Sequence, residues 1–362
     1  MKQGIQHKNG SKRFTPVGII FAVIGLLLFV YFVKRAGVEQ ILEGIKRLGA
    51  GLLLVFAISG IRPVVRSLAW TRCCEEPYRL RFLDALKARL MGDALGNLIP
   101  LGTIVVSEPS KAVLVRKRVP LVAGLSSLAI ENLFYSLSVS LFLACGTLAL
   151  LLSFRLPKAL RYGSIGALVF IALIIPAAYF VIRKQLKFLS GAVEYLYGRG
   201  VAGRFLEHKR DRVRAIEERI YGFYARHRSR FLSILLLEAC FHLAGIAETY
   251  VALSFISVGY TPTLFMAFVL ESVNRIITVV FKFMPYRVGV GEGATEWTAK
   301  LLGFTKGIGT TLEIVRKARD LCWTAIGFAL LVRHGLSARA VAEETEEAVA
   351  EISATSASAG IQ

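Results

Sequence analysis

The chain has 362 residues, of which 55% are hydrophobic, and it carries 45 Lys and Arg against 25 Asp and Glu. A mean hydropathy of +0.57 excludes an ordinary soluble domain, because soluble domains are only about 45–50% apolar. The net charge of +20 lies in short segments between apolar runs, where Lys and Arg orient membrane proteins and meet anionic headgroups. We therefore expect a polytopic membrane protein whose partners are membrane lipids, with no nucleic-acid partner.

The five cysteines form no Cys-x-x-Cys pair, and three of them lie inside apolar segments. In such segments a free cysteine behaves as a small hydrophobic residue. The sequence therefore predicts neither a disulfide framework nor a metal site, and it indicates no cofactor.

The first predicted element is a polar, basic tail at 1–15, which we place in the cytoplasm. The apolar run from Val17 to Val33 follows, and the first membrane half is predicted over 16–182. Because no small-residue cleavage site follows this run, we interpret it as a retained span and not as a signal peptide.

A second span is predicted at about 50–70, and its later part carries Arg62, Pro63, Arg66 and Trp70. The two arginines are expected to reach toward the headgroups, and the Trp is expected to lie in the aromatic belt.

The next apolar run is interrupted by Pro100 and Gly102 and ends at Glu108 and Lys111. Basic segments flank it on both sides, so 89–110 is predicted to enter and leave by the same membrane face as a re-entrant hairpin. A non-helical turn is tolerated at membrane depth only where it is buried in protein or lines water. Spans at about 121–152 and 160–182 complete the first half.

Residues 183–230 hold thirteen Lys and Arg against five Asp and Glu, which predicts a basic cytoplasmic loop. One helical face of this loop is apolar and consists of Leu206, Val213, Ile216, Ile220 and Phe223. Two interpretations stay open: an amphipathic helix on an anionic leaflet, or a helix packed on the cytoplasmic end of the bundle.

The second membrane half is predicted over 231–334. It begins with a span at 231–257, continues with a second broken hairpin at 263–304, and ends with a span at about 308–332. The tail at 335–362 is rich in Ser, Ala and Glu, which is typical of disorder.

The two broken stretches resemble each other. Pro100 precedes Glu108 by eight residues, and Pro285 precedes Glu292 by seven. Broken hydrophobic segments at corresponding positions of two halves indicate a transporter built as an inverted repeat. We predict an all-α membrane protein with about six full spans and two re-entrant hairpins in two inverted halves. In the alternative, 263–284 spans fully and the C-terminus lies outside.

Ionisable residues at membrane depth are functional candidates, because burying them costs several kcal/mol. The first group is Glu108, Lys111, Glu131 and Asn132. Ser107 or Glu108 is expected to cap a half-helix whose N–H groups suit a phosphate or carboxylate, unless Glu108 caps only its own helix.

The second and third groups lie in the other half. The second is Glu271, Asn274, Arg275, Lys282, Arg287 and Glu292, and Asn274 and Arg275 follow Glu271 at the helical spacings that allow pairing on one face. The third is Arg316, Arg319 and Asp320, which either hold a lipid phosphate or form a salt bridge between Arg316 and Asp320.

Glu238 and His242 share a face of the 231–257 span, where a hydrogen-bonded structural pair is favoured over a proton relay. An ion-coupled mechanism is expected to use Glu108 or Glu292. We find no catalytic motif, so the chain is not expected to be an enzyme.

These residues resemble the transmembrane, flippase-like domain of the lysylphosphatidylglycerol synthase family. The resemblance covers about 16–334, and it rests on several short motifs in order: Arg62-x3-Arg66-x3-Trp70, Pro100…Gly102…Glu108-Pro109-Ser110-Lys111, Glu131-Asn132, Glu271…Asn274-Arg275, and Pro285…Gly289…Gly291-Glu292.

The resemblance implies lipid translocation in a bacterial inner membrane. Only about thirty polar residues follow the last span, so a stand-alone member without the soluble synthase domain is expected. The implied lipid is an aminoacyl-phospholipid, a hopanoid or another isoprenoid lipid, and lipid-biosynthesis enzymes are the implied protein partners. An integral-membrane transferase and a non-catalytic scaffold are the alternatives. The sequence predicts no oligomeric state.

Overall fold

The computed structural model describes residues 46, 48–98, 106–185, 203–257, 259–281, 287 and 289–333, and every regular element in these ranges is helical. The described residues form ten helices: α1 (Gly51–Cys73), α2 (Phe82–Leu98), α3 (Ser107–Leu114), α4 (Leu121–Ser153), α5 (Lys158–Arg183), α6 (Gly203–Arg226), α7 (Arg228–Ile256), α8 (Leu264–Val280), α9 (Val290–Leu301) and α10 (Ile308–Arg333). The prediction of an all-α polytopic membrane protein is confirmed.

Several predicted segments lie outside the described residues. They are the tail at 1–15, the run at 17–33, the centres of both broken stretches with Pro100, Gly102, Lys282 and Pro285, and the tail at 335–362.

Four described helices, namely α1, α4, α5 and α7, are long and apolar enough to cross a membrane. They correspond to the spans predicted at 50–70, 121–152, 160–182 and 231–257. Helix α10 is as long as α5, but Glu313, Arg316, Lys317, Arg319 and Asp320 interrupt its apolar character. These charges belong to the interior of the bundle, as their contacts below show.

The helices of the two predicted halves are interleaved. Helix α7 packs along α1, and α10 packs along α2. The largest apolar core joins Val55 of α1 to Leu253 of α7, Leu270 of α8 and Leu312 of α10, all of which are buried. Between membrane-spanning helices such contacts act through van der Waals packing, because lipid tails are as apolar as these side chains.

Each broken hairpin is bounded by two helices that pack on each other: α2 on α3, and α8 on α9. In the first hairpin the chain folds back so closely that Ser107 Oγ donates to Asp93 at 3.1 Å. Helix α2 begins at Phe82, earlier than the predicted hairpin start near residue 89.

Helix α6 carries the predicted amphipathic face. The described part of this face packs on protein, because Phe223 is buried in a core with Ile130 and Ile234, and Ile220 packs against the same core. The contacts of Ile220 and Phe223 thus match the second interpretation, a helix packed on the bundle. The side chains of Leu206 and Val213 lie outside the described residues.

Candidate functional site

A cavity of about 730 Å³ lies among helices α1, α2, α3, α4, α8 and α10. Ten of its lining residues are charged: Arg62, Arg66, Arg89, Lys111, Arg275, Arg287, Arg319, Asp93, Glu108 and Asp320. The lining also includes apolar side chains, namely Val139, Leu143, Phe241 of α7, Val279 and Phe281. The cavity therefore offers both signs of charge beside a hydrophobic surface.

The charged lining is organised first around Glu131 of α4, which is fully buried. Arg66 of α1 binds it in a bidentate manner, with Nε at 2.8 Å and Nη2 at 2.9 Å. Arg89 of α2 donates a third hydrogen bond to the same carboxylate at 3.0 Å. Bidentate, charge-assisted pairs of this kind are among the strongest hydrogen-bonded contacts in proteins.

A second group of charges meets on Lys111 of α3, whose side chain is 1% exposed. Its Nζ lies 2.7 Å from an Asp93 oxygen and 2.8 Å from a Glu108 oxygen. The other Glu108 oxygen accepts from Asn132 Nδ2 at 3.0 Å. Glu108 thus bridges α3 to α4, and the cap interpretation is wrong because its oxygens are used by Lys111 and Asn132.

The predicted Ser107 cap is also absent. Helix α3 begins after Val106 without a side-chain cap, since the Ser107 hydroxyl donates to Asp93 instead.

The third centre is Glu271 of α8, which is 1% exposed. Arg62 Nη2 lies 2.8 Å from its Oε1, and Arg275 Nη2 lies 3.0 Å from the same oxygen. Arg316 Nη2 lies 3.1 Å from Oε2, which also accepts from Asn274 Nδ2 at 3.2 Å. The predicted pairing of Glu271 with Asn274 and Arg275 on one face is therefore formed.

A further chain of charges runs from α7 to the cavity. Arg319 of α10 pairs with Glu248 of α7 and with its neighbour Asp320, whose Oδ1 lies 2.7 Å from Arg319 Nη2. Arg287 lies 3.8 Å from the other oxygen of Asp320 and bonds Thr278. The salt bridge considered between Arg316 and Asp320 is wrong, because Arg316 is held by Glu271 and Glu313 at 3.1 and 3.3 Å.

Glu292 is not a lining residue of this cavity. It accepts a hydrogen bond from Gly289 N–H at 2.8 Å and pairs with Lys317 of α10. Gly289 has φ +89°, a left-handed conformation that favours glycine. Glu292 thus fixes the start of α9 against α10.

The cavity contacts correct the interpretation of α1. Arg62 and Arg66 do not reach toward headgroups, because they are bound to Glu271 and Glu131 inside the bundle. Trp70 is fully buried, and its indole N–H donates to Ser127 at 3.0 Å. Arg62, Pro63 and Arg66 of α1 therefore line the cavity inside the bundle.

Three lining residues on α2 were missed from sequence: Arg89, Asp93 and Asn97. They recur at four-residue spacing, so they share one helical face. Asn97 reaches α10, where its Nδ2 donates to Thr324 at 3.1 Å. That spacing of polar residues within an otherwise apolar segment was the available signal.

The accessibility of the charges is uneven. The side chains of Asp93, Asp320 and Glu108 are 46%, 31% and 28% exposed, whereas the most exposed lining arginine, Arg287, reaches 15%. These three carboxylates are therefore more accessible than any cation of the lining.

The family model described as lysylphosphatidylglycerol synthase TM region matches residues 17–327. The chain belongs to this family. Neither a curated protein nor a solved structure gives a significant match. The resemblance found in the motifs is thus confirmed at the level of the family, which indicates a lipid-related role in the membrane.

Proposed function

We propose that the protein moves a lipid with a polar headgroup between the two leaflets of a membrane. The observation that supports this most is the cavity, because charged and apolar side chains line it together and several of them belong to candidate spans. An amphipathic molecule needs both kinds of surface, one for its headgroup and one for its acyl chains. In this proposal the protein transports a lipid and does not modify it.

The charges favour one class of headgroup among those that the sequence left open. A headgroup with a phosphate and an amino group would find arginine donors for its anion and the open carboxylates of Asp93, Glu108 and Asp320 for its cation. An aminoacyl-phospholipid or another amino-phospholipid fits this pattern, whereas a hopanoid without charge would leave the lining charges without a ligand. We therefore place the amino-phospholipid first.

The proposed location is the bacterial inner membrane, with the N-terminus in the cytoplasm and the basic segment against the anionic leaflet. Enzymes of lipid synthesis are the proposed protein partners, because a translocator needs a supply of its lipid on one leaflet.

The first experiment is mass spectrometry of the lipids that co-purify with the full chain. It compares wild type with Glu108→Gln, which removes a cavity charge, and with Glu218→Gln, which removes an exposed charge on α6. We expect one lipid class to be enriched in wild type and in Glu218→Gln and lost in Glu108→Gln. The same bulk lipid in all three proteins would contradict a headgroup site in the cavity.

The second experiment measures movement between leaflets. Proteoliposomes carry a tail-labelled fluorescent phosphatidylethanolamine or phosphatidylglycerol, and a membrane-impermeant quencher reports the outer leaflet. Wild type is expected to move the amino-phospholipid faster than protein-free vesicles do, and Glu108→Gln is expected to slow it. Equal rates with and without protein for both probes would overturn translocation of these lipids.

A further inference from the structure

Glu238 of α7 is a buried carboxyl group that the cavity does not use. Its side chain is fully buried, and neither carboxyl oxygen has a hydrogen-bond partner within the described ranges. Burying an ionised carboxylate without a partner is expensive, so a protein either pairs such a group or keeps it neutral. In this conformation the geometry favours the neutral, protonated carboxyl.

Three charged groups from other helices act on Glu238: Arg66 of α1, Arg89 of α2 and Glu131 of α4. Both arginines already donate to Glu131. Glu238 is therefore a second carboxyl within the electrostatic influence of two arginines that Glu131 already binds. When two carboxyl groups compete in this way, ionisation of one disfavours ionisation of the other.

The remaining titratable neighbours offer no partner either. His242, one helical turn along α7, places Nε2 3.2 Å from Ser138 Oγ and stacks on Phe142. Its Nδ1 has no partner among the described residues, and it forms no bond with Glu238, so the favoured structural pair is wrong. Cys73 of α1 is a buried free cysteine that feels the charge of Glu238. It supplies no cation for that carboxyl group.

The charged groups of α8 and α10 that face this side of α7 are engaged with one another. Glu271 and Arg275 of α8 act on His242 and bond each other at 3.0 Å. Arg319 of α10 pairs with Glu248, further along α7. These contacts leave Arg66 and Arg89 as the cations available to Glu238 among the groups described.

We propose that Glu238 is a proton-binding site that couples lipid movement to protons. In the conformation seen here Glu238 holds the proton while Arg66 binds Glu131. When the amino group of a headgroup takes the place of Arg66 at Glu131, Arg66 is free to bind Glu238, which then releases its proton to water. Charge stays balanced, because Arg89 remains with Glu131 and the new carboxylate receives Arg66.

Glu238 differs from Glu108 and Glu292, the two proton carriers predicted from the sequence. Glu108 is bound to Lys111 and Asn132, and Glu292 is bound to Lys317 and Gly289. Of these three, Glu238 is the one whose carboxyl oxygens have no hydrogen-bond partner within the described ranges.

The proposal rests on the proposed transport function, but proton binding can be tested without transport. Infrared spectroscopy of the full chain in lipid nanodiscs detects the C=O stretch of a protonated carboxyl group at neutral pH. We expect this band in wild type and in Glu218→Gln, and its loss in Glu238→Gln. Glu238→Asp, which keeps a titratable group, should restore a band. A band unchanged in Glu238→Gln would overturn the proposal.

Coupling is tested in the proteoliposome assay, with the fluorescent phosphatidylethanolamine and an imposed pH gradient. We expect the gradient to change the rate for wild type and for Glu218→Gln, and this response to be lost in Glu238→Gln. A response retained in Glu238→Gln would overturn the coupling role. If no protein moves lipid, the transport function fails, and the infrared result decides the proton site by itself.

Discussion

Arg66 and Glu131 join helices α1 and α4 through two hydrogen bonds of 2.8 and 2.9 Å. Arg89 of α2 donates a third hydrogen bond to the same carboxylate. One carboxylate thus binds two arginines inside the bundle. Removing one member of a buried ion pair destabilises a protein by about 3–5 kcal/mol, because the remaining charge is left without a partner.

Glu131→Gln should therefore lower the melting temperature of the purified protein strongly, since it leaves two cations facing a neutral amide. Glu238→Gln replaces a carboxyl that is neutral in our proposal, so it should melt close to wild type. The measurement is thermal unfolding in one detergent at one pH, with Glu218→Gln as the exposed control. Equal melting of the Glu131 and Glu238 variants would contradict this account of the two carboxyl groups.

Asp93 and Glu108 share one buried cation, Lys111. Asp93→Asn or Glu108→Gln alone leaves Lys111 with one carboxylate, whereas the double variant leaves it with none. We therefore expect the double variant to lose more stability than the sum of the single variants, with a coupling of about 0.5–3 kcal/mol. Unfolding of the four proteins in a double-mutant cycle measures this coupling, and strict additivity would show that Lys111 does not link the two acids.

Glu292 and Lys317 form a pair outside the cavity, and the Lys317 side chain is 2% exposed. Glu292→Gln should lower stability without changing the lipids that co-purify, in contrast to Glu108→Gln. Adding Lys317→Met should recover stability, because removing both charges leaves no buried ion without a partner. Loss of the enriched lipid in Glu292→Gln would instead assign Glu292 to the binding site.

Gly146 of α4 lies against Ser272 of α8, so closely that a Cβ at position 146 would overlap the serine side chain. Gly146→Ala should cost about 1–3 kcal/mol through overpacking, and Ser272→Gly should relieve it. Gly163 of α5 has open space at the corresponding atom, so Gly163→Ala should be neutral or slightly stabilising. The measurement is the melting temperature of each variant, and equal effects at both glycines would exclude close packing of α4 on α8.

The sequence predicted those parts of the fold and site that depend on local spacing. Long apolar runs marked the four spans because their length and composition are properties of one segment. Glu271 and Arg275 were paired correctly because positions four apart meet on a helix. The polar face of Arg89, Asp93 and Asn97 is equally local, so its four-residue spacing could have been predicted from the sequence.

The partners that cross between helices could not be read from spacing. Arg62 meets Glu271 across 209 positions, and Arg66 meets Glu131 across 65. A single sequence does not distinguish an arginine near a helix end that reaches water from an arginine that reaches a distant carboxylate. Trp70 was misplaced for the same reason, since its partner Ser127 lies on another helix.

Arg62 and Arg66 stand one turn apart on α1, and they hold carboxylates that belong to opposite halves of the chain. A rotation or slide of α1 by a single residue would withdraw both guanidinium groups together. Helix α1 thus links the two halves, because its two arginines contact a carboxylate in each of them. Any movement of α1 that breaks the arginine contact in one half must also disturb the contact in the other, which would make the rearrangement of the two halves a single concerted event.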